Sequence, residues 1–274
     1  MPHVSGLFLY PVKSLRGCAV PAVTVDALGF AGDRRFLVVD GTGTLLTQRG
    51  LPRMARVGAT LAAGTLTLSA DQAGSVQVPT APDPAAPLRT VSVWKSEGLL
   101  AEDCGDEAAT WLSDFLASPC RLVRIGPRFH RPVTKAAGRP GDAVSFADAA
   151  PILATGEASL AELNDRIQEN EGEPVPMDRF RPNLVIAGSP AFAEDGWPAL
   201  RIGNVVLRNA GKSDRCIMTT TDQRTGARGK EPLRTLATFR RDPVDAPAVY
   251  FGANYINESK TGALQVGDPV TILP

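Results

Sequence analysis

The first third of the chain is a procession of short β-branched runs split by Gly and Pro: Ala19 to Asp26, Arg35 to Asp40, Thr44 to Gln48, Arg56 to Leu61, Thr65 to Ser69, Val76 to Pro79 and Thr90 to Trp94. Short apolar runs bounded by turn formers at such close intervals predict a β-sandwich or barrel. The period then changes. Across Asp106 to Ala117 the apolar residues Ala108, Trp111, Leu112, Phe115 and Leu116 recur at helical spacing, so an amphipathic helix should pack on that sheet. Residues 126–148 carry turn formers with little periodicity and read as a linker or mobile loop, which places a domain boundary near residue 125 and divides the chain into 1–125 and 126–274. Beyond it the pattern predicts a strand at Pro151 to Ala154, a helix from Glu157 to about Glu169 with Leu160, Leu163 and Ile167 on one face, and a strand at Asn183 to Ala187. More strands are expected at Val205 to Asn209, Cys216 to Thr221, Tyr250 to Ile256 and Leu264 to Leu273, with one further helix near Leu233 to Phe239. The class is mainly β with peripheral helices (α+β).

At 274 residues the chain can bury a large core without disulfides or structural metal. Lys plus Arg and Asp plus Glu number 29 each, so no global field attracts a nucleic-acid polymer or an acidic membrane, and any anion site must be local. The four cysteines, Cys18, Cys104, Cys120 and Cys216, form no C-x-x-C pair and have only His3 and His130 as imidazole partners, which leaves no ligand set for zinc or an iron–sulfur cluster. So few scattered thiols suit a reducing cytoplasm, and the N-terminus shows neither a membrane span nor a basic signal-peptide region. The expectation is a cytoplasmic monomer. There is no G-x-S-x-G, H-E-x-x-H, Walker or G-x-G-x-x-G motif, and both histidines read as surface or loop residues rather than as bases.

Cys216, in Ser213-Asp214-Arg215-Cys216-Ile217-Met218-Thr219, has two readings. It is either a small apolar residue buried in a strand or, beside the positive Arg215, a thiolate able to bind a soft metal. Three further places could supply an anion pocket. Residues 1–60 hold Lys13, Arg16, Arg34, Arg35, Arg49, Arg53 and Arg56 against Asp26, Asp33 and Asp40, and within them Lys13 and Ser14 end a strand in a turn that presents an ammonium and a hydroxyl together. The alternative is that such basic residues are solvated guards of strand edges. Thr155-Gly156-Glu157 lies where a strand hands over to a helix, so Thr155 is a natural N-cap and the free N–H groups behind it would accept an anion, or simply be capped. In Arg179-Phe180-Arg181-Pro182-Asn183, Pro182 biases Arg181 toward an extended conformation, and strand alternation sets Arg181 and Asn183 on one face; an exposed edge strand is the plainer reading.

Taken in order, Tyr-Pro-Val-Lys-Ser-x-x-Gly (10–17), Gly-Asp-Arg (32–34), Glu-Ala-Ser-Leu-Ala-Glu-Leu-Asn (157–164), Arg-Phe-Arg-Pro-Asn (179–183), Arg-Cys-Ile-Met-Thr-Thr-Thr-Asp (215–222), Phe-Gly-Ala-Asn (251–254) and Val-Gly-Asp-Pro-Val (266–270) resemble the MOSC-domain family. The branch they resemble is that of the bacterial YcbX-type proteins and the mitochondrial amidoxime-reducing component. The likeness runs nearly end to end. It implies an N-terminal MOSC β-barrel domain packed on a MOSC β-barrel domain, with a molybdenum cofactor, a pyranopterin whose dithiolene binds molybdenum and whose phosphate needs an anion pocket. On that resemblance Cys216 matches the cysteine that ligates the metal, and Lys13, Ser14 and Arg34 match the N-terminal residues that reach the cofactor. Thr155 and Gly156 match the pair at the helix start, Arg181 and Asn183 match the Arg-x-Asn contacts, and Asn254 falls where a C-terminal contact is expected. Asp214 stands where some relatives carry serine.

The resemblance implies an oxidoreductase in which the protein positions and the cofactor does the chemistry, reducing N-hydroxylated substrates such as amidoximes, hydroxylamines and N-hydroxylated nucleobases by N–O cleavage, a detoxifying reaction. Some relatives carry a C-terminal 2Fe–2S domain, and no such domain lies before Pro274. Electrons are therefore expected from a separate protein, of the ferredoxin, cytochrome b5-like or flavin-reductase kind. Two other readings stand beside this one: a non-redox carrier of sulfur or molybdenum cofactor that uses a Cys216 persulfide, and binding of pyridoxal phosphate, which would need a Schiff-base lysine.

Overall fold

The computed structural model describes residues 1–245 and 247–274. The expected class is borne out: strands form the body and three helices lie outside it. The largest sheet has eight strands, in the order Val270–Leu273, Ala199–Ile202, Val205–Asp214, Tyr250–Asn257, Ile152–Gly156, Leu184–Ala187, His3–Leu9 and Cys18–Val20. Every pairing is antiparallel except that of Ile152–Gly156 with Leu184–Ala187. The first helix, Asp106–Leu116 (α1), buries Leu112 and Phe115 against strands of the first third, each worth roughly 1.5–3 kcal/mol of hydrophobic transfer. The second, Glu157–Glu169 (α2), supplies the crossover that the parallel pair of strands needs. The third, Leu233–Phe239 (α3), sets Leu236 beside Leu163 and Ile167 of α2.

The sheets of the first third are a four-stranded one (Phe36–Val39, Arg121–Arg124, Ser96–Asp103, Leu88–Val93) and a three-stranded meander (Gly58–Ala62, Thr65–Ala70, Gly74–Pro79). Most of the first thirty residues lie elsewhere, though Val12 and Leu15 share a core with Phe36 and Leu66. His3–Leu9 is hydrogen-bonded to Leu184–Ala187, Ala22–Asp26 pairs with Ala263–Gln265, and Val4, Leu7, Val23 and Phe30 share a core with Ile152, Leu200 and Tyr255. The chain thus begins inside the later half, crosses to build the earlier one, and returns. Two of the stretches that run between the halves matter for the site: Tyr10 to Ser14, and residues 126–148.

Several local expectations are corrected. Residues 126–148 form a wall rather than a loose linker: Phe146 is fully buried, and the buried Arg131 donates to the carbonyls of Ser145 and Asp148 at 2.8 and 3.1 Å. Irregular backbone is ordered here by a side chain that serves as its hydrogen-bonding partner, which no periodicity reports. Thr44 to Gln48 makes only isolated bridges, through Thr44 and Leu45. Leu264 to Leu273 divides into Ala263–Gln265 and Val270–Leu273 at a turn containing Gly267 in positive φ. Cys216 to Thr221 is a short 3-10 helix over Ile217–Thr220 with Cys216 as its N-cap, because Thr219 returns both its N–H (3.1 Å) and its hydroxyl (2.9 Å) to the Cys216 carbonyl. A threonine run reads as strand until that local alternative is counted. Among the described residues, no helix is long and apolar enough to cross a membrane.

Candidate cofactor site

The floor of the site is Arg34 and Arg181, which lie over Tyr10, the residue after strand His3–Leu9. Its ring is buried, and the guanidinium carbons of Arg34 and Arg181 lie 4.3 Å each from its centroid. Gly17 makes room for the ring: a Cβ there would sit 2.4 Å from Tyr10 Cδ1. Arg34 is fixed at both ends. Its backbone N–H donates to the Tyr10 carbonyl (2.8 Å), and its guanidinium donates to Asp33 Oδ2 (2.6 Å), Asn183 Oδ1 (2.9 Å) and the Arg181 carbonyl (3.2 Å). Such cation–π and charge-assisted contacts are strong in a dry site, roughly 2 kcal/mol each. Burial, reinforced by the nearby Arg34 charge, pushes Arg181 down to about 10, still cationic at neutral pH. One of its donors, Nη2, is buried with no partner; Nη1 reaches Gln223 Oε1 at 3.3 Å.

Arg181 is not extended as expected. Its φ is +56°, since the 3-10 turn Met177–Arg179 runs into it and its N–H returns to the Asp178 carbonyl at 3.2 Å. Pro182 excludes the right-handed helical region, and the left-handed one is taken instead. Ser14 (+66°) and Arg34 (+47°) share that conformation, so three of the residues matched to the family's site hold backbone strain, which packing must sustain. Strain of this kind aims a side chain at a place the regular chain would not reach.

Opposite this floor stands Cys216, half-buried. Arg215 is braced beside it: its N–H donates to the Val249 carbonyl (2.8 Å), Nη1 to Ser213 Oγ (2.8 Å) and Nη2 to the Phe180 carbonyl (2.7 Å), while Nε is buried without a partner. Burial lowers its pKa, and the neighbouring Cys216 sulfur opposes that shift. Between floor and wall lies a cavity of about 350 Å³. Its lining sets six cations, Arg34, Arg49, Lys135, Arg179, Arg181 and Arg215, against Asp148 and Asp214. Burial lowers the pKa of Lys135 as well, with Asp214 opposing. Arg34 and Arg179 are paired with Asp33 and Asp222, whereas Arg181 and Arg215 keep buried donors without partners, which in low dielectric an anionic ligand would satisfy.

Of the residues matched to a site in the sequence, Arg34, Arg181, Asn183, Asp214, Cys216 and Asn254 line the cavity. Asn183 acts from behind: its amide oxygen accepts from Arg34 and from the Leu153 N–H (3.2 Å), and its Nδ2 donates to the Phe8 carbonyl (3.3 Å), so it positions Arg34 instead of presenting a free edge. Asp214 accepts weakly from the Val249 N–H at 3.3 Å, and Asn254 donates to the Lys212 carbonyl at 3.2 Å. Lys13 and Ser14 sit one layer back. The Lys13 ammonium, its pKa lowered by burial, pairs with Asp148, while Ser14 Oγ is buried without a partner.

Thr155 and Gly156 do not reach the cavity. Thr155 lies in a strand, fully buried, with its hydroxyl against Met177 Sδ (3.3 Å); Gly156, not Thr155, is the N-cap of α2. The anion at this helix start is the protein's own: Glu194, fully buried, accepts from the Gly156 N–H (3.0 Å) and from Ser159 Oγ (2.7 Å). A helix N-terminus favours a carboxylate as readily as a phosphate.

Sequence reasoning missed Asp148, Trp94, Lys135 and the amides of Gln48 and Gln223. Asp148 and Lys135 lie in the stretch read as linker, and Trp94 turns the corner after strand Leu88–Val93 at φ +54°, donating from Nε1 to Asp148 Oδ1 at 2.7 Å. The one available signal was Arg215, whose charge beside Cys216 was legible but not its cavity-facing placement.

This two-part β architecture, closed around a cysteine and a cluster of arginines, matches known families. Residues 1–119 match the MOSC N-terminal beta barrel domain and residues 141–271 the MOSC domain, and the chain belongs to the MOSC-domain family. Within it the chain is 37% identical to mitochondrial amidoxime-reducing component 1 of Mus musculus and 38% identical to that of Homo sapiens, over 98% of this chain and 82% of each relative. It is 36% identical to mitochondrial amidoxime reducing component 2 of Bos taurus, over 97% of this chain and 82% of that protein.

Proposed function

We propose that this chain is a molybdenum-cofactor-dependent reductase of N-hydroxylated compounds. The observation that carries the reading is the Cys216 thiol in the wall of a cavity whose lining holds six cations against two carboxylates, with Arg181 Nη2 and Arg215 Nε buried and unpartnered. The residues present fit the group. Cys216 offers the soft thiolate that molybdenum takes, and the unpartnered guanidinium donors of Arg181 and Arg215 would hold the pyranopterin's anionic end, with Lys135 beside them. When bound, the cofactor supplies the two-electron chemistry that breaks the N–O bond.

Each turnover consumes two electrons and two protons and releases the substrate oxygen as water. The chain's part is placement. Tyr10, Asn183 and Asp33 lock Arg34, and Arg34 in turn fixes the Arg181 carbonyl, so the cationic floor is set before any ligand arrives. Amidoximes, hydroxylamines and N-hydroxylated nucleobases are the proposed substrates, in keeping with relatives named for amidoxime reduction. The proposed setting is the cytoplasm, with the chain a monomer and its electrons brought by a separate protein.

The test is to purify the chain from a host that makes molybdenum cofactor, measure molybdenum per chain, and assay benzamidoxime reduction with a chemical donor beside Cys216→Ala. Metal in the parent, its loss in the variant, and reduction by the parent alone are expected. Metal-free parent protein would end the reading. Bound metal without N–O reduction would transfer the assignment to a carrier that uses Cys216 as a persulfide.

A further inference from the structure

Arg49 lines the cavity, and the loop that bears it and the loop that follows Thr221 carry positive charge outward. Arg49 and Arg53 are exposed on the first, and Arg224, Arg228 and Lys230 on the second. The loops are locked together. Arg228 donates to the Gln48 carbonyl at 2.7 Å and to that of Arg49, and Gly226 packs so closely on Pro52 that a Cβ would lie 3.1 Å from the Pro52 carbonyl oxygen. Behind them the buried amides of Gln48 and Gln223 exchange hydrogen bonds at 3.0 Å in both directions, and Gln223 reaches Arg181 in the cavity floor. Among the described residues, none of these five cations forms an ion pair, although Arg53 lies 4.5 Å from the Phe115 ring in a separate hollow with Asp71 and Asp114; Asp222 is engaged with Arg179 and Asp148 with Lys13. Two large apolar side chains stand in the same rim. Trp94 (37% exposed) carries the Arg49 guanidinium 4.2 Å from its ring, and Ile217 (47% exposed) follows Cys216 directly. A neutral protein that gathers unpaired cations and exposed apolar groups on two locked loops beside one cavity has the anatomy of a docking surface, with an apolar centre and a charged rim.

We infer that the loops bearing Arg49, Arg53, Arg224, Arg228 and Lys230, with Trp94 and Ile217 between them, form the docking surface for an acidic electron-carrier protein. The inference rests on the reductase reading, which requires two electrons from a partner. Charge complementarity selects an acidic partner over a basic one, and the rim's place beside Cys216 brings that partner to the redox centre. Exposed charges act over a Debye length of roughly 8 Å in physiological salt, so they steer the encounter more than they tighten the complex.

The experiment measures binding of the full chain to a plant-type 2Fe–2S ferredoxin as acidic probe, with basic cytochrome c as control, by calorimetry over a salt series. Expected are salt-sensitive binding of ferredoxin and none of cytochrome c, weakened roughly tenfold or more by the triple charge reversal Arg53→Glu, Arg224→Glu, Lys230→Glu. The triple Gln variant should lose less, and an unchanged melting temperature shows that both variants fold. Ferredoxin binding that ignores the reversals, equal binding of cytochrome c, or preferential binding of anionic vesicles or RNA would overturn the docking surface. Benzamidoxime reduction with a chemical donor reads the underlying function separately, since none of the three substituted residues lines the cavity.

Discussion

Arg34 donates from Nη2 to the backbone carbonyl of Arg181 at 3.2 Å, while both guanidinium groups lie 4.3 Å from the Tyr10 ring centre, so the two arginines from opposite halves of the chain form one unit. The unit needs a planar fork. Lysine supplies a single point of charge and cannot serve Asp33, Asn183 and the Arg181 carbonyl together. Arg34→Lys should therefore behave nearly as badly as Arg34→Ala: each should lose roughly 2–4 kcal/mol of unfolding free energy in urea, because Asp33 Oδ2 loses its donor and Asn183 Oδ1 keeps only the Leu153 N–H. Molybdenum retained per chain should fall in both. A lysine variant with full stability and full metal would mean that only the charge matters.

Ser14 combines a left-handed backbone (φ +66°) with a hydroxyl that is buried and unpartnered. Glycine tolerates that backbone, and removing an unpaired hydroxyl lifts a desolvation cost, so Ser14→Gly should leave stability unchanged or raise it by up to about 1 kcal/mol. If the hydroxyl serves the cofactor, the same variant should release metal more readily. Thermal unfolding and metal content read on one preparation separate the two effects, and a destabilised Ser14→Gly would show that the hydroxyl has a structural partner.

The β class, all three helices and the residues Arg34, Arg181 and Cys216 were legible because each rests on a local signal: a period, a turn former, or a charge beside a thiol. What was not legible depends on distant partners. The helix start at Gly156 read as a place for an anion or for simple capping, and the group that meets its N–H is the carboxyl of Glu194, 38 residues along and fully buried. Residues 126–148 lacked periodicity because Arg131 and Phe146 hold them by tertiary contacts. Arg181 follows the rule that a residue before proline avoids the right-handed helical region, but the rule does not choose between extended and left-handed backbone. The pairing of His3–Leu9 and Ala22–Asp26 with strands of the later half is a matter of long-range contact that alternation alone does not encode.

Gln48 and Gln223 are 175 residues apart, fully or almost fully buried, and exchange two hydrogen bonds of 3.0 Å. Their remaining groups are committed as well, Gln48 to the Ser14 carbonyl (2.8 Å) and Gln223 to that of Thr221 (3.0 Å). Removing one side chain strands the other amide, so Gln48→Ala and Gln223→Ala should each cost roughly 2–3 kcal/mol in denaturant unfolding. The double variant strands neither. It should cost clearly less than the sum, by about 1 kcal/mol or more, and strict additivity would show that the two amides are not coupled.

Asp103 carries the clearest pH signature. Burial would raise its pKa, but hydrogen bonds from Arg121 and Arg89 and from the Gly105 N–H (2.8 Å) outweigh it and bring the carboxyl down to about 2. The unfolded chain binds this proton first as pH falls, near the ordinary aspartate value of 3.8. The stabilisation is thus fully present above that value and is lost as acid carries the pH down toward about 2. Asp103→Asn should lower stability by roughly 2–3 kcal/mol at neutral pH, since Arg89 loses its carboxylate and Arg121 keeps only the exposed Asp106. It should also make the stability curve less steep between pH 3.8 and about 2, because one of the depressed carboxyls that take up protons in acid is gone. Urea unfolding across that window checks both, and a variant whose stability falls with acid as steeply as the parent's would place the linkage on another group.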